Sequence, residues 1–104
     1  MFATVRRYEG IDASNKEELT KKVGETLAPR LSKLPGFSSY FLIDTGNGVM
    51  SSIGLFDTST QANESTRVAS SWVRDEKLES ALPNAPKITF GEVIAKKTNG
   101  AVRA

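Results

Sequence analysis

The sequence predicts an α+β domain in which two helices cover one face of a four-stranded antiparallel sheet and the other face is left apolar. Three observations carry this reading. Strand-like runs are apolar on both sides, most clearly Phe41-Leu42-Ile43 and Ile53-Gly54-Leu55-Phe56. Successive strand residues point to opposite faces, so such runs leave neither face suited to water. Only two long stretches repeat apolar residues at the three- or four-residue spacing of a helix, and the elements follow the order β-α-β-β-α-β. With both helices on one face, a second copy of the chain is the expected cover for the other.

Phe2 to Tyr8 reads as the first strand, with Phe2, Thr4, Arg6 and Tyr8 on one side. Ser14 or Asn15 opens the first helix, with Glu17 and Glu18 in the turn where the helix dipole favours acids. Leu19, Val23, Leu27, Leu31 and Leu34 then form its apolar stripe. Pro29 has no N–H to offer the carbonyl four residues back, which predicts a kink, and Pro35-Gly36 ends the helix. The second strand runs over 37–44 and the third over 49–57, joined through the hairpin signal Asn47-Gly48. Thr58 with Gln61, or Ser59, caps the second helix, whose inward stripe reads Ala62, Thr66, Ala69 and Val73, flanked by Ser65 and Trp72. Leu78, Ala81 and Leu82 belong to a short turn or helix ahead of Pro83-Asn84-Ala85-Pro86. Residues 88–96 form the last strand, with Ile88, Phe90 and Ile94 on one side. This is the ferredoxin-like order of two split βαβ units, and right-handed crossovers place both helices on the same side of the sheet.

The 104 residues suit a single domain, expected over 1–97 with a loose tail over 98–104. Fourteen basic residues against twelve acidic ones give a net charge of +2, with the lysines and arginines dispersed among acids. That pattern speaks against a nucleic-acid partner. No stretch of about 18 apolar residues points to a membrane span, and the charged N-terminus lacks a secretory pattern, so the expected location is cytoplasmic. There is no cysteine, which removes thiolate nucleophiles, disulfides and cysteine-ligated metals. There is also no histidine, which removes Ser-His-Asp hydrolysis. Asp44, Asp57 and Glu92 stand apart, so no metal site is expected.

Pro35-Gly36-Phe37, the Asn47-Gly48 hairpin, Trp72-Val73 and Gly91-Glu92-Val93 together resemble the dimeric α+β barrel proteins of the antibiotic biosynthesis monooxygenase type. The resemblance spans Phe2 to about Lys97 and rests on element order and short turns. It implies a homodimer joined through the sheet face, with a cavity between sheet and helices in each subunit. It also implies two kinds of chemistry, haem degradation and cofactor-independent oxygenation of aromatic phenols. Trp72 matches the tryptophan of helix two in kind, but without histidine a haem-degrading role is disfavoured. Cofactor-free oxygenation needs an apolar pocket, a proton acceptor and donors for a developing oxyanion.

Candidate catalytic residues are therefore Trp72, Asn63 and Arg67. Arg6, Tyr40, Phe90 and Arg74 are candidate substrate-binding residues, and neither a cofactor nor a metal is expected. Each has a bland counterpart: Trp72 as a core aromatic, Asn63 facing solvent, Arg67 and Arg74 pairing with Glu64, Asp75 or Glu76, and Tyr40 in the dimer face. Arg6 on a half-apolar strand needs a carboxylate or a ligand if buried, with Glu92 as its simplest protein partner. Two classes follow. One is a small-molecule enzyme acting on a hydrophobic phenolic or quinonoid substrate, with a closed pocket of about 300 Å³ or more and convergent donors. The other is a non-catalytic dimer of the same fold, with Trp72 tightly packed. A protein-interaction module has no positive feature behind it.

Overall fold

A computed structural model of the chain describes residues 1–97; the expected tail at 98–104 lies outside them. The elements are β1 (Phe2–Tyr8), α1 (Lys16–Lys22), a π turn (Val23–Leu27), α2 (Ala28–Ser32), β2 (Phe37–Gly46), β3 (Val49–Phe56), α3 (Ser59–Asp75) and β4 (Lys87–Glu92). The strands form one sheet in the order β2-β3-β1-β4, with every neighbouring pair antiparallel. The expected α+β architecture is present.

The first helix departs from a simple kink. Asn15 stands at the N-cap position of α1, as expected, but makes no side-chain cap bond; a 3₁₀ turn at Ala13–Asn15 precedes the helix and is capped by Asp12. The Asp12 carboxylate accepts from the Ser14 amide at 2.9 Å. Further on, the ladder widens to π bonding, and the Ala28 amide donates to the Val23 carbonyl five residues back. Pro29 explains part of this, since it cannot close the next four-residue bond. The stripe explains the rest. Leu19, Val23, Leu27 and Leu31 are spaced by fours, and each step overshoots a 3.6-residue turn by about 40°. A wider turn brings these residues back into line, and Leu19, Leu27 and Leu31 are all buried.

The second helix begins as expected. Gln61 N donates to Thr58 Oγ1 and Thr58 N donates to Gln61 Oε1, both at 3.3 Å, closing a capping box. Its buried side is rotated from the expected stripe. Ala62, Ser65, Ala69 and Trp72 are buried, whereas Thr66 and Val73 are only half-buried. Trp72 is the reason: the largest side chain of the helix takes the deepest position and turns the helix toward itself. Lys22–Glu76 at 3.1 Å and Arg30–Asp75 at 2.9 Å fasten the two helical segments at the surface.

Register fixes the two faces of the sheet. Arg6 lies opposite Ser52 on β3 and Ile88 on β4, and Ser52 lies opposite Leu42 on β2. With Thr4, Tyr8, Tyr40, Met50 and Phe56, these residues face the helices. The alternate row Val5, Ile53 and Phe41 faces away, joined by Ala3, Leu55 and Ile43. On that side Phe41 remains 53% exposed and Ile43 41%. β4 is shorter than the expected 88–96. Glu92 is opposite Phe2, and Val93 makes a last bond to the Met1 carbonyl at 2.8 Å. Beyond it the ladder with β1 has run out, and Ile94 is 92% exposed.

The core gathers Ile11, Leu19, Leu27, Leu31, Met50, Ala69, Trp72 and Leu78 between helices and sheet. No helix among the described residues is long and apolar enough to cross a membrane.

Candidate functional site

Arg6 is the anomaly of this core. β1 aims it at the helices, and only 2% of it is exposed. Its Nε and Nη1 are buried without a hydrogen-bond acceptor, and so is the Ser52 hydroxyl opposite. Among the described residues no carboxylate lies within salt-bridge distance of Arg6. The expected partner Glu92 is four residues along β4 from Ile88, the residue that faces Arg6, and sits opposite Phe2 instead. A guanidinium remains charged when buried, and an uncompensated buried ion costs several kcal/mol. The fold therefore holds a cation in place without a counter-ion.

Two phenols stand near it. Tyr8 follows Arg6 by two residues on the same face of β1, and Tyr40 projects from β2 opposite Gly54. Burial pushes both phenols above their ordinary pKa, and the nearby Arg6 charge, with weaker side-chain hydrogen bonding from Arg6, opposes this without cancelling it. Both therefore stay protonated at neutral pH.

Arg6 lines a half-open cavity of about 200 Å³ between sheet and helix, smaller and less enclosed than the closed pocket of about 300 Å³ or more expected of an enzyme. Tyr8 and Ile88 form the sheet side, and Thr66, Ser70, Val73 and Arg74 come from α3. Leu82, Asn84 and Pro86 close it from the loop before β4. Asn84 is pinned by donating to the Glu9 carbonyl at 3.1 Å. Gly10 makes this approach possible. At φ +75 it adopts a conformation that favours glycine, and a Cβ there would sit 2.5 Å from Asn84 Nδ2.

Arg6 and Arg74 thus share one wall system, as two of the four expected substrate-binding residues. Tyr40 does not line this cavity; it meets Tyr8 at the small space beside Trp72. Phe90 does not enter the cavity; it is 40% exposed on β4 and stacks on Phe2 with ring centroids 6.0 Å apart.

The expected catalytic residues do not converge. Trp72 is 2% exposed, and its indole N–H donates to Thr26 Oγ1 at 2.6 Å. The space beside it, walled by Tyr8, Leu27, Tyr40 and Met50, is about 20 Å³, room for one water. Trp72 acts here as a core aromatic with its polar atom satisfied. Asn63 is exposed on the outside of α3, because its neighbour Ala62 takes the inward position. Arg67 is exposed and held by Glu64 through contacts of 2.6 and 3.2 Å. The i,i+3 spacing on an outward helix face accounts for that pair.

Tyr8, Ser52 and Asn84 were not among the expected site residues. Tyr8 carried a signal, since it shares the strand face of Arg6 at two-residue spacing. Ser52 and Asn84 carried none, because their positions depend on sheet register and on the folded loop. A further open cleft of about 340 Å³ lies between the π turn and β2, lined by Val23, Gly24, Tyr40 and Leu42. It contains no buried unpartnered cation. No group of three acidic residues among the described ones is placed to hold a metal ion.

No family model matches the chain, and no curated protein matches it. Solved structures do, and several are of the antibiotic biosynthesis monooxygenase type. A Streptomyces coelicolor monooxygenase in complex with nanaomycin D is 18% identical, with TM-score 0.69, covering 94% of this chain and 92% of its own. A MhuD variant with two manganese protoporphyrin IX molecules per active site is 14% identical, with TM-score 0.75, covering 95% and 100%. A dimeric ferredoxin-like protein from an uncultured marine organism is 16% identical, with TM-score 0.68, covering 94% and 98%. The chain thus has the ferredoxin-like α+β fold of these proteins along nearly its whole length. At such identities the likeness defines the fold and leaves the site to its own residues.

Proposed function

We propose that this protein is a homodimer that binds a hydrophobic phenolic or quinonoid molecule, with the anionic oxygen of that molecule held by Arg6. The observation that carries the reading is a buried guanidinium that has no counter-ion and belongs to a residue lining a cavity. An oxyanion supplies the charge and the acceptors that the protein withholds. Apolar walls from Tyr8, Val73, Leu82 and Ile88 suit the ring that bears it. The structural neighbours support this indirectly, since one is in complex with nanaomycin D and one with a porphyrin. This chain has no histidine to offer a porphyrin iron, which favours the phenol over the haem reading.

As chemistry, the site fits cofactor-independent oxygenation, with this protein binding the substrate in its reactive anionic form. The fixed charge of Arg6 favours the phenolate whereas burial opposes it, as it does at Tyr8 and Tyr40, so the site suits phenols that ionise readily on their own account. The electron-rich phenolate passes an electron to dioxygen, the two radicals join in a C–O bond to give a ring hydroperoxide, and loss of water leaves the quinone, with the neutral phenol of Tyr8 donating to the developing negative oxygen. Among the described cavity walls there is no carboxylate to act as base, so the proton leaves to water. A non-catalytic binder of the same ligand is the alternative, favoured by the tight packing around Trp72.

The test is a thermal-shift screen of phenols, naphthols and hydroquinones, followed by oxygen-uptake measurements on each hit. Binding lost in Arg6→Met supports the ligand reading, and oxygen uptake above the autoxidation rate supports the enzyme. Hits that bind Arg6→Met as well as wild type would refute the role of Arg6. Binding without oxygen uptake would favour the non-catalytic alternative.

A further inference from the structure

The cavity at Arg6 contains a second cation and no acid. Arg74 reaches it from the last turn of α3, and its one hydrogen bond among the described residues is a long 3.4 Å contact to the Ser71 hydroxyl. The carboxylates that would ordinarily neutralise Arg74 are engaged elsewhere. Asp75 accepts from Arg30 at 2.9 Å, and Glu76 from Lys22 at 3.1 Å, both toward the first helix. Glu9, at the β1 end of the cavity, is held by Arg7 at 2.8 Å and Lys87 at 3.6 Å. The walls thus present two guanidinium groups, with the hydroxyls of Thr66 and Ser70 on the same helix. The two cations differ in depth, since Arg6 is buried and Arg74 is exposed.

We infer that the ligand is a hydroxy-aromatic carboxylic acid, its phenolic oxygen at Arg6 and its carboxylate at Arg74. This rests on the phenol reading of the Arg6 site and adds a second charged group to it. The polarity of binding follows from hydration. A carboxylate is the more strongly solvated of the two groups and loses least at the exposed arginine near the mouth. The phenolic oxygen sheds water more readily and fits the end at buried Arg6. A neutral phenol satisfies only Arg6, whereas a phenol acid satisfies both cations and places its ring between Tyr8, Val73 and Ile88. The volume of about 200 Å³ lies below the ~300–1,000 Å³ typical of drug-sized ligands, which points to a single ring.

Isothermal titration of the full chain with 4-hydroxybenzoate and with its methyl ester tests this directly, because the ester keeps ring and phenol but has no charge. The acid should bind the wild type about tenfold more tightly than the ester, as expected for one charge-assisted contact at a partly exposed site. Arg74→Gln should remove that advantage, and Arg74→Lys should restore part of it. Equal affinity of acid and ester would overturn the acid preference while leaving the phenol reading intact. An acid preference that survives Arg74→Gln would overturn the role of Arg74. If neither compound binds while larger neutral phenols do, the acid class is wrong and the phenol site stands. If no phenol of any kind binds, both fall.

Discussion

Arg6 shows how one side chain sets the terms of a site. A buried lysine or carboxylate sheds its charge by shifting its pKa, but a guanidinium does not, so its cost persists until an anion arrives. Arg6→Met, similar in length and apolar, should therefore raise the stability of the ligand-free protein by ~1–4 kcal/mol. For a domain of this size that is about 4–8 °C in Tm per kcal/mol, and the same variant should lose every phenol-induced shift. A fall in Tm would mean that Arg6 has found compensation in the protein. Trp72 makes the contrast, because its indole N–H is already satisfied by Thr26. Trp72→Ala should cost about 3–5 kcal/mol in urea unfolding, and a clearly smaller loss would mark it as a cavity wall. Tyr8 and Tyr40 add a pH dependence whose sign is set by burial, which raises their native pKa above the ordinary 10.0. Above that value the unfolded chain has released protons that the native chain retains, so stability falls as pH rises through the native values. Tm followed from about pH 9 to pH 11 should decline less steeply in Tyr8→Phe/Tyr40→Phe than in wild type. At this scale the sequence showed that Arg6 stood on a strand face shared with Thr4 and Tyr8. It did not show whether a carboxylate would meet it, because the register that puts Ile88 and not Glu92 opposite is fixed by cross-strand packing.

The junction of α2, β2 and α3 shows how local signals agree at the level of elements. Gly36, at φ +76, leaves its carbonyl to accept from the Asp57 amide at 2.9 Å. A Cβ there would fall 1.9 Å from Gln61 Oε1, the atom that closes the capping box of α3. The end of one helical segment and the start of another thus depend on the same missing side chain. Thr58→Ala should cost about 1 kcal/mol, the ordinary value of a lost cap. Gly36→Ala should cost more, since it adds ~1–2 kcal/mol of left-handed backbone strain to displacement of Gln61. Urea unfolding of the single and double variants checks this. The double-variant loss should fall short of the sum, because both changes open the same box. These boundaries were legible because each has a local chemical signature: Thr58 with Gln61, Pro35-Gly36, Asn47-Gly48. The π turn was not legible as such. Pro29 announced a defect, but choosing between a kink and a widened turn depended on how the four-residue stripe from Leu19 to Leu31 seats on the sheet.

The molecule as a whole has an unequal sheet. Helices cover the face that carries Thr4, Arg6, Met50 and Phe56, whereas Ala3, Val5, Phe41, Ile43, Ile53 and Leu55 form a contiguous apolar field on the other. That asymmetry was legible from the first, because consecutive apolar residues in a strand face both sides and two helices placed by right-handed crossovers cover only one. The extent of β4 was not, since its end depends on where the ladder with β1 stops. A face of this kind can be buried by a second sheet packed about 10 Å away, and a standard interface of roughly 800 Å² per partner is within reach of four short strands. The row Val5–Ile53–Phe41 crosses three strands in register, which places Ile53 at the centre of the proposed interface. Ile53→Lys puts a charge there that the helix side never meets, so folding should survive while pairing fails. Sedimentation at micromolar concentration should show a dimer for the wild type and a folded monomer for the variant. The cavity at Arg6 lies on the opposite side of the sheet and is built within one subunit, so that monomer should still bind the phenol. A wild type that sediments as a monomer would mean that the apolar field tolerates water, and the homodimer would have to be given up while the Arg6 site stood unaffected.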